Sequence, residues 1–194
     1  MATVCHPNVT RLINAPRIQQ RTDEWMEFRR IRLTASDASK VLAKGGKSRT
    51  SLFLEKVGDK EPFSGNDATT SGTRNEENAL NQYKNMYPGA VIFDNLTIMV
   101  HDTHDELAAS LDAVTADGIN LELKTIHGIK LKSIPKAYRD QVQLQMEVCN
   151  LETTHLVQYY IDLEQTVFTV IGRDREWFET NRDSFLSFVH EVRE

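Results

Sequence analysis

Hydrophobic positions change their spacing twice along this chain, from helical to alternating and then to a mixture of the two. Residues 1–20 hold no sustained period and are expected to form an extended arm, with a short ordered piece around Val9 to Ile13. Thr22 or Asp23 then caps a helix in which Trp25, Phe28 and Arg29 recur at helical spacing, so Trp25 and Phe28 are expected in the core. Thr34 or Ser36 opens a second helix through about Ala43, closed by Gly45-Gly46-Lys47. Thr50 or Ser51 opens a third, with Leu52, Phe53 and Val57. Residues 58–71 are a polar stretch rich in turn formers. A long helix over roughly Gly72 to Tyr87 follows, ended by Pro88-Gly89, with Ala79, Leu80 and Tyr83 as its apolar stripe. Glu76 stands four residues before Leu80 and is expected on the same buried face, whereas Glu77 turns outward.

After Gly89 the period becomes two. Val91–Phe93, Leu96–Val100, Leu107–Leu111, Ile119–Thr125, His155–Ile161 and Thr166–Ile171 are candidate strands. One helix, from Pro135 or Lys136 to about Val148, separates the fourth from the fifth. The last two are joined by Asp162-Leu163-Glu164-Gln165. A final helix runs from about Asp174 to Val192 with Trp177, Phe178, Phe185 and Phe188 inward. This order predicts an α/β fold with a central mixed β-sheet flanked by α-helices, a single domain over 21–194 behind the arm.

Within that frame one run stands out. Leu121-Glu122-Leu123-Lys124 alternates, so Leu121 and Leu123 face a core while Glu122 and Lys124 share the opposite side. Ser110-Leu111-Asp112-Ala113-Val114 is also strand-like, and Asp117-Gly118 predicts a tight turn between the two pieces, which brings Asp112 towards Glu122. Two close carboxylates repel unless a cation lies between them, and hard oxygen ligands suit Mg²⁺ or Mn²⁺. Lys124 is then placed to assist a water on that ion. On these residues alone, an ordinary half-exposed hairpin with a surface ion pair is the better account.

Composition narrows the classes. With 194 residues, 40% of them hydrophobic, the chain can bury a substantial core. No apolar run approaches the roughly 20 residues of a membrane span, and Met1 to Pro7 lacks the apolar centre of a secretion signal, so no membrane association is expected. Cys5 and Cys149 have no metal-binding or disulfide-framework spacing, which fits a reducing, intracellular (cytoplasmic) setting. A net charge of -5 argues against a general nucleic-acid binder. Charge is unevenly spread, however: between Arg11 and Lys60 twelve lysines and arginines face six acids, as a protein gripping DNA on one side would have it.

The motifs, in order, resemble those of the lambda-exonuclease family of YqaJ-type viral recombinases, within the PD-(D/E)XK nuclease superfamily. They are Arg21-Thr22-x-x-Trp25 with Arg29 and Leu33-Thr34-Ala35-Ser36; Gly72-x-x-x-Glu76-x-x-Ala79; Ser110-x-Asp112 with Leu121-Glu122-Leu123-Lys124; and Gln141-Val142-Gln143-x-x-Met146. The resemblance implies a restriction-endonuclease-like core and a Mg²⁺-dependent 5′-to-3′ exonuclease, with Mn²⁺ as a substitute ion. Such an enzyme degrades linear double-stranded DNA to 5′-mononucleotides and leaves 3′ overhangs for strand annealing. It further implies Asp112, Glu122, the Leu123 carbonyl and Glu76 as metal ligands, Lys124 as the water-orienting lysine and Gln141 as a helper. Arg29 and Ser36 would bind the terminal 5′-phosphate, with Thr34, Trp25 and Arg32 at the same DNA-binding surface. A homotrimeric ring and a single-strand annealing protein as partner are implied in the same way. Two departures stand in this chain: Ser110-Leu111-Asp112-Ala113 replaces the family's S-P-D-G, and Ile31 or Arg32 replaces a glycine after Arg29.

Other groupings are read more plainly. His101-Asp102-Thr103-His104-Asp105 is a turn before it is a histidine metal site. Tyr159 and Tyr160 are sheet cover, and Gln143 and Gln145 are exposed helix positions. A structure- or sequence-specific endonuclease on the same core, and a non-catalytic DNA-binding protein, remain the competing functions.

Overall fold

The computed structural model describes residues 5–19, 22–59, 67–128 and 133–194, with only the backbone described over 67–75. Arg21 and positions 60–66 of the expected polar stretch lie outside the described residues. The chain begins with helix α1 (Pro7–Asn14), which buries Val9 and Leu12 in the main core, so an extended arm is not what these residues form. Its eight residues give only two inward positions, too few for a periodic signal. What holds it are contacts distant in sequence: the His6 amide donates to the Ala116 carbonyl at 2.7 Å, and an Arg11 Nη donates to the Val148 carbonyl at 3.1 Å.

Helix α2 (Asp23–Arg30) follows, its start fixed by Thr22 Oγ1 accepting from the Trp25 amide. No residue of α2 is fully buried, and here the expectation for Trp25 and Phe28 is corrected. Each ring is covered by a guanidinium, Arg29 over Trp25 at 4.6 Å and Arg32 over Phe28 at 4.1 Å, so the aromatic stripe meets cations where a core would supply aliphatic side chains. The expected helix from Thr34 or Ser36 is instead strand β1 (Leu33–Thr34), a single 3₁₀ turn (Ala35–Asp37) and the four-residue helix α3 (Ala38–Val41). Helix α4 (Lys47–Val57) starts directly after Gly46, and α5 (Asp67–Met86) starts five residues before Gly72.

Strands β2 (Ile92–Phe93), β3 (Met99–Val100), β4 (Leu107–Ala109), β5 (Ala113–Thr115) and β6 (Ile119–Ile126) form the meander. Helix α6 (Lys136–Cys149), strands β7 (Thr153–Tyr160) and β8 (Gln165–Gly172), and helix α7 (Arg175–Arg193) complete the chain. Among the described residues the strands form two sheets, β1-β4-β3 and β2-β5-β6-β7-β8. β6 and β7 run parallel, joined through α6 as a βαβ crossover, while β5 and β8 flank them antiparallel. The sheet is therefore mixed, with helices on both faces. Ala79, Leu80 and Tyr83 of α5 pack on Leu121, Leu123, Ala113 and Val157, and α6 covers the other face with Val142, Leu144, Met146 and Val148 in the main core. Among the described residues no helix is long and apolar enough to cross a membrane.

Because Leu12 is 2% exposed and walled by core, Leu12→Ala is expected to lower stability by about 2–5 kcal/mol, as other leucine truncations in cores do. Chemical denaturation would register this as a lower midpoint at unchanged slope. A shift within about 0.5 kcal/mol, the usual effect at a surface position, would contradict the packing of α1.

Candidate active site

The site grows out of the β5–β6 hairpin. Gly118, at φ +95°, turns the chain, and the ladder pairs Ala113 with Leu121 and Val114 with Asn120. One step beyond the last pair, the same register sets Asp112 opposite Glu122. Facing residues of neighbouring strands hold their Cβ atoms about 4.5–5.5 Å apart. Asp112 Oδ2 accepts from the Leu123 amide at 2.8 Å, so the carboxylate continues the ladder where the β5 backbone stops. In a strand the N–H and C=O of one residue point to the same side, which turns the Leu123 carbonyl towards Asp112 as well.

Glu122 is 1% exposed, and hydrogen-bond donors surround it. Its Oε1 accepts from Lys124 Nζ at 2.5 Å and from Gln141 Nε2 at 2.7 Å, and its Oε2 from Gln145 Nε2 at 2.6 Å. Lys124 Nζ also donates to Gln141 Oε1 at 3.2 Å and lies 5.2 Å from the Tyr138 ring centre. Burial opposes the Lys124 ammonium, yet Glu122 and Asp112 outweigh it and raise its pKa above the ordinary lysine value. Burial first, and then the Glu122 and Glu76 carboxylates, hold the Asp112 carboxyl well above its ordinary range, against the pull of Lys124 and the Leu123 amide. Glu76 thus belongs to the neighbourhood electrostatically, but from an exposed turn of α5 and not from the buried face expected for it.

Among the described residues no group of three or more His, Cys, Asp or Glu side chains is gathered as a ready metal cage. The donor set nevertheless fits a hard divalent ion. Two carboxylates face each other, with a main-chain carbonyl beside them. Mg²⁺ characteristically takes one or two carboxylates and keeps several waters.

Gln145 is the residue the sequence reading missed. It is 1% exposed, where an exposed position was expected, and its Nε2 also reaches the Ser110 carbonyl at 3.1 Å while its Oε1 accepts from Asn120 Nδ2 at 3.0 Å. Gln143 is buried too, bonded to the Gly172 carbonyl and the Asp174 amide. Gln141 and Gln145 are four apart and share one helix face, a spacing that groups them but does not mark the face as buried.

A second group lines a cleft of about 700 Å³ between α2, the 3₁₀ turn and α4. Arg29 and Ser36 meet there, Nη2 to Oγ at 3.4 Å, and Arg29 makes no ion pair among the described residues. Thr34 braces this group from behind: 1% exposed, its Oγ1 donates to Asp37 Oδ2 at 2.9 Å and lies 3.2 Å from Ser36 Oγ. Trp25 serves as the platform under Arg29. Arg32 does not join. The chain leaves α2 at Ile31 and turns into β1, which sends the Arg32 guanidinium over Phe28 and its Nε to the Asp105 carbonyl at 2.9 Å. The His101–Asp105 segment forms a closed turn, with His101 Nδ1 accepting from the Thr103 and His104 amides and the ring stacked on Phe178 at 5.8 Å.

The fold is a mixed α/β core of the kind found in known exonuclease structures. The family model of the YqaJ-like viral recombinase domain matches residues 24–155, and the chain belongs to that family. Among solved structures, the alkaline exonuclease LHK-Exo from Laribacter hongkongensis superposes with a TM-score of 0.73 at 24% identity, covering 89% of this chain and 93% of that one; it has also been solved in complex with dAMP. A phage-related exonuclease from Haemophilus somnus 129PT matches with a TM-score of 0.65 at 14% identity, over 83% of this chain and 93% of that one. A search of curated proteins gives no match.

Gln145 supplies a donor to a buried carboxylate oxygen, so Gln145→Leu leaves Glu122 Oε2 without it. The expected loss of stability is about 1–3 kcal/mol, measured by denaturant unfolding without divalent ions. An unchanged midpoint would place Gln145 outside the network.

Proposed function

We propose that this chain hydrolyses the phosphodiester bonds of linear double-stranded DNA from 5′ ends, releasing 5′-mononucleotides and leaving 3′ single-stranded overhangs. The observation that carries the reading is Asp112 set opposite Glu122, with Lys124 and Gln141 bonded to the same carboxylate. Membership of the viral recombinase family and the fold shared with two exonucleases support it.

Asp112, Glu122 and the Leu123 carbonyl, with Glu76 nearby, would hold Mg²⁺, or Mn²⁺ in its place. Such an ion lowers the pKa of water and neutralises developing charge on the phosphate. The protein's own groups do the rest. Lys124 Nζ, fixed by Glu122 Oε1 and Gln141 Oε1, would donate to the attacking water oxygen and offset its charge as that oxygen bonds to phosphorus and the bond from phosphorus to the 3′ oxygen breaks, the 3′ oxygen leaving as a hydroxyl with a proton from solvent. Gln145 keeps Glu122 from swinging away. In the second cleft, the Arg29 fork and the Ser36 hydroxyl match the oxygens of a terminal 5′-phosphate and would set the end from which nucleotides are counted. A ring of three copies around the duplex and delivery of the overhang to a single-strand annealing protein complete the proposal. Both rest on the family resemblance, and the ring is tested by mass in solution.

Linear duplexes labelled at either end, incubated with Mg²⁺, should release label from the 5′ terminus first, and chelation should stop the reaction. Asp112→Asn is expected to remove nearly all turnover, and Lys124→Ala to reduce it by about 10² to 10⁴, the range of positioned proton-transfer help. Full digestion by Asp112→Asn would overturn the assignment. Nicking of closed circular DNA would point to an endonuclease on the same core.

A further inference from the structure

Lys56 is 6% exposed, a rare place for an ammonium because burial of an unpaired cation is strongly unfavourable. Burial lowers its pKa, and Asp37 pulls the other way. Its Nζ has three neighbours. It donates to the main-chain carbonyls of Arg29 at 2.9 Å and Arg32 at 2.7 Å, and lies 3.6 Å from Asp37 Oδ2. Two of its three protons are thus given to main-chain carbonyls, and the charge faces the Asp37 carboxylate, although the side chain borders the cleft. The first neighbour is in the last turn of α2, whose Arg29 carbonyl also accepts from the Ile31 and Arg32 amides, and the second lies just past the helix cap, where the chain turns into β1. The third belongs to the 3₁₀ turn and directly follows Ser36. One buried nitrogen therefore ties the backbone that carries Arg29 to the backbone that carries Ser36. From outside, Arg30 Nη1 donates to the Lys56 carbonyl at 3.5 Å and closes the bracket.

From this juxtaposition we infer that Lys56 is a positioning residue for the 5′-phosphate pocket: it holds the Arg29 guanidinium and the Ser36 hydroxyl at the separation a phosphate requires. This rests on the pocket reading given above. Asp37 would not be stranded if Lys56 were replaced. It keeps Lys40 Nζ at 2.8 Å and Thr34 Oγ1 at 2.9 Å, whereas the Arg29 and Arg32 carbonyls lose the donor that joins them to the turn. The effect of a substitution therefore falls on the placement of Arg29.

The test uses identical linear duplexes ending in a 5′-phosphate or a 5′-hydroxyl, digested by the wild type, Lys56→Met and Lys56→Gln. The wild type should favour the phosphorylated end. Lys56→Met should reduce the ratio of kcat/KM between the two ends by about ten- to a hundredfold, the scale of a misplaced binding group, mainly through KM on the phosphorylated end. Lys56→Gln, which keeps a single donor arm, should fall between. A purely structural role would depress both substrates together, and an unchanged ratio in either folded variant overturns the inference. Failure of both variants to fold would overturn it too, since Lys56 would then hold up the fold and not the pocket. A wild type indifferent to the terminal phosphate would instead bring down the pocket reading itself, a result separable from the first because it needs no variant.

Discussion

A carboxylate buried in the middle of a sheet is the constraint to which the surrounding structure answers. Glu122 lies between a parallel and an antiparallel neighbour, on the face that α6 covers, and removing its charge from water is unfavourable unless both oxygens find donors. The donors come from one strand and one helix. Along β6 the inward polar row is Asn120, Glu122, Lys124. Along α6 the facing row is Gln145, Gln141, Tyr138, and the contacts pair them in that order. Two strand residues advance about 6.6 Å and one helical turn about 5.4 Å, so the rows stay matched over a few steps. This polar seam fixes how α6 sits on the sheet and turns Gln145 inward, while Gln143 is held inward separately by the Gly172 carbonyl and the Asp174 amide.

The seam explains why part of the site was legible in the sequence and part was not. Asp112, Glu122 and Lys124 are marked by period-two alternation and a turn, both local signals, and the hairpin register follows from them. The long helices α6 and α7 were readable because their periodic runs exceed ten residues. Gln145 was not, because polarity ordinarily marks the outer face of a helix and only the carboxylate across the interface reverses it. The same limit hid the packing of α1, foreseen only as a short ordered piece, because its burial depends on Ala116 and Val148 more than a hundred positions away. At α2 the spacing of Trp25 and Phe28 correctly gave a helix but not its surroundings: arginine planes fill the place of core side chains there, and composition does not distinguish the two. Arg32 misled by its neighbourhood. It stands three residues from Arg29, but the helix ends between them.

The two clusters are joined by ordinary backbone. β1, which leads into the 3₁₀ turn bearing Ser36, pairs in parallel with β4. β4 runs on into Ser110, whose carbonyl is held by Gln145, and then to Asp112. A displacement of the anion cleft therefore has a short path to the carboxylate pair. If the cleft binds a DNA end, as proposed, that path matters: the distance between the end and the scissile bond must be held by rigid elements for the cut to fall at a constant place.

Charge bookkeeping by sequence gave a basic segment between Arg11 and Lys60 within an acidic protein, and it is natural to see in it a field that draws in DNA. The side-chain contacts change that picture. Within the segment Arg30 is held by Glu27, and Lys40 and Lys56 face Asp37, while Arg49 is held by Glu191 and Arg11 by Asp102 from outside it, which offsets part of the excess. Arg29 differs: it is half-buried at the cleft, stacked on Trp25, with a hydroxyl and no carboxylate for company. Burial opposes its charge, while Asp37 and Glu55 act from a distance to keep it. A guanidinium so placed attracts little at long range, because counter-charges and salt screen the surface around it. At contact, however, it presents its donors to an anion without first giving up a carboxylate partner. On the proposed reading, recognition would depend more on this one cation, which has no carboxylate partner among the described residues, than on the net charge of the segment that contains it.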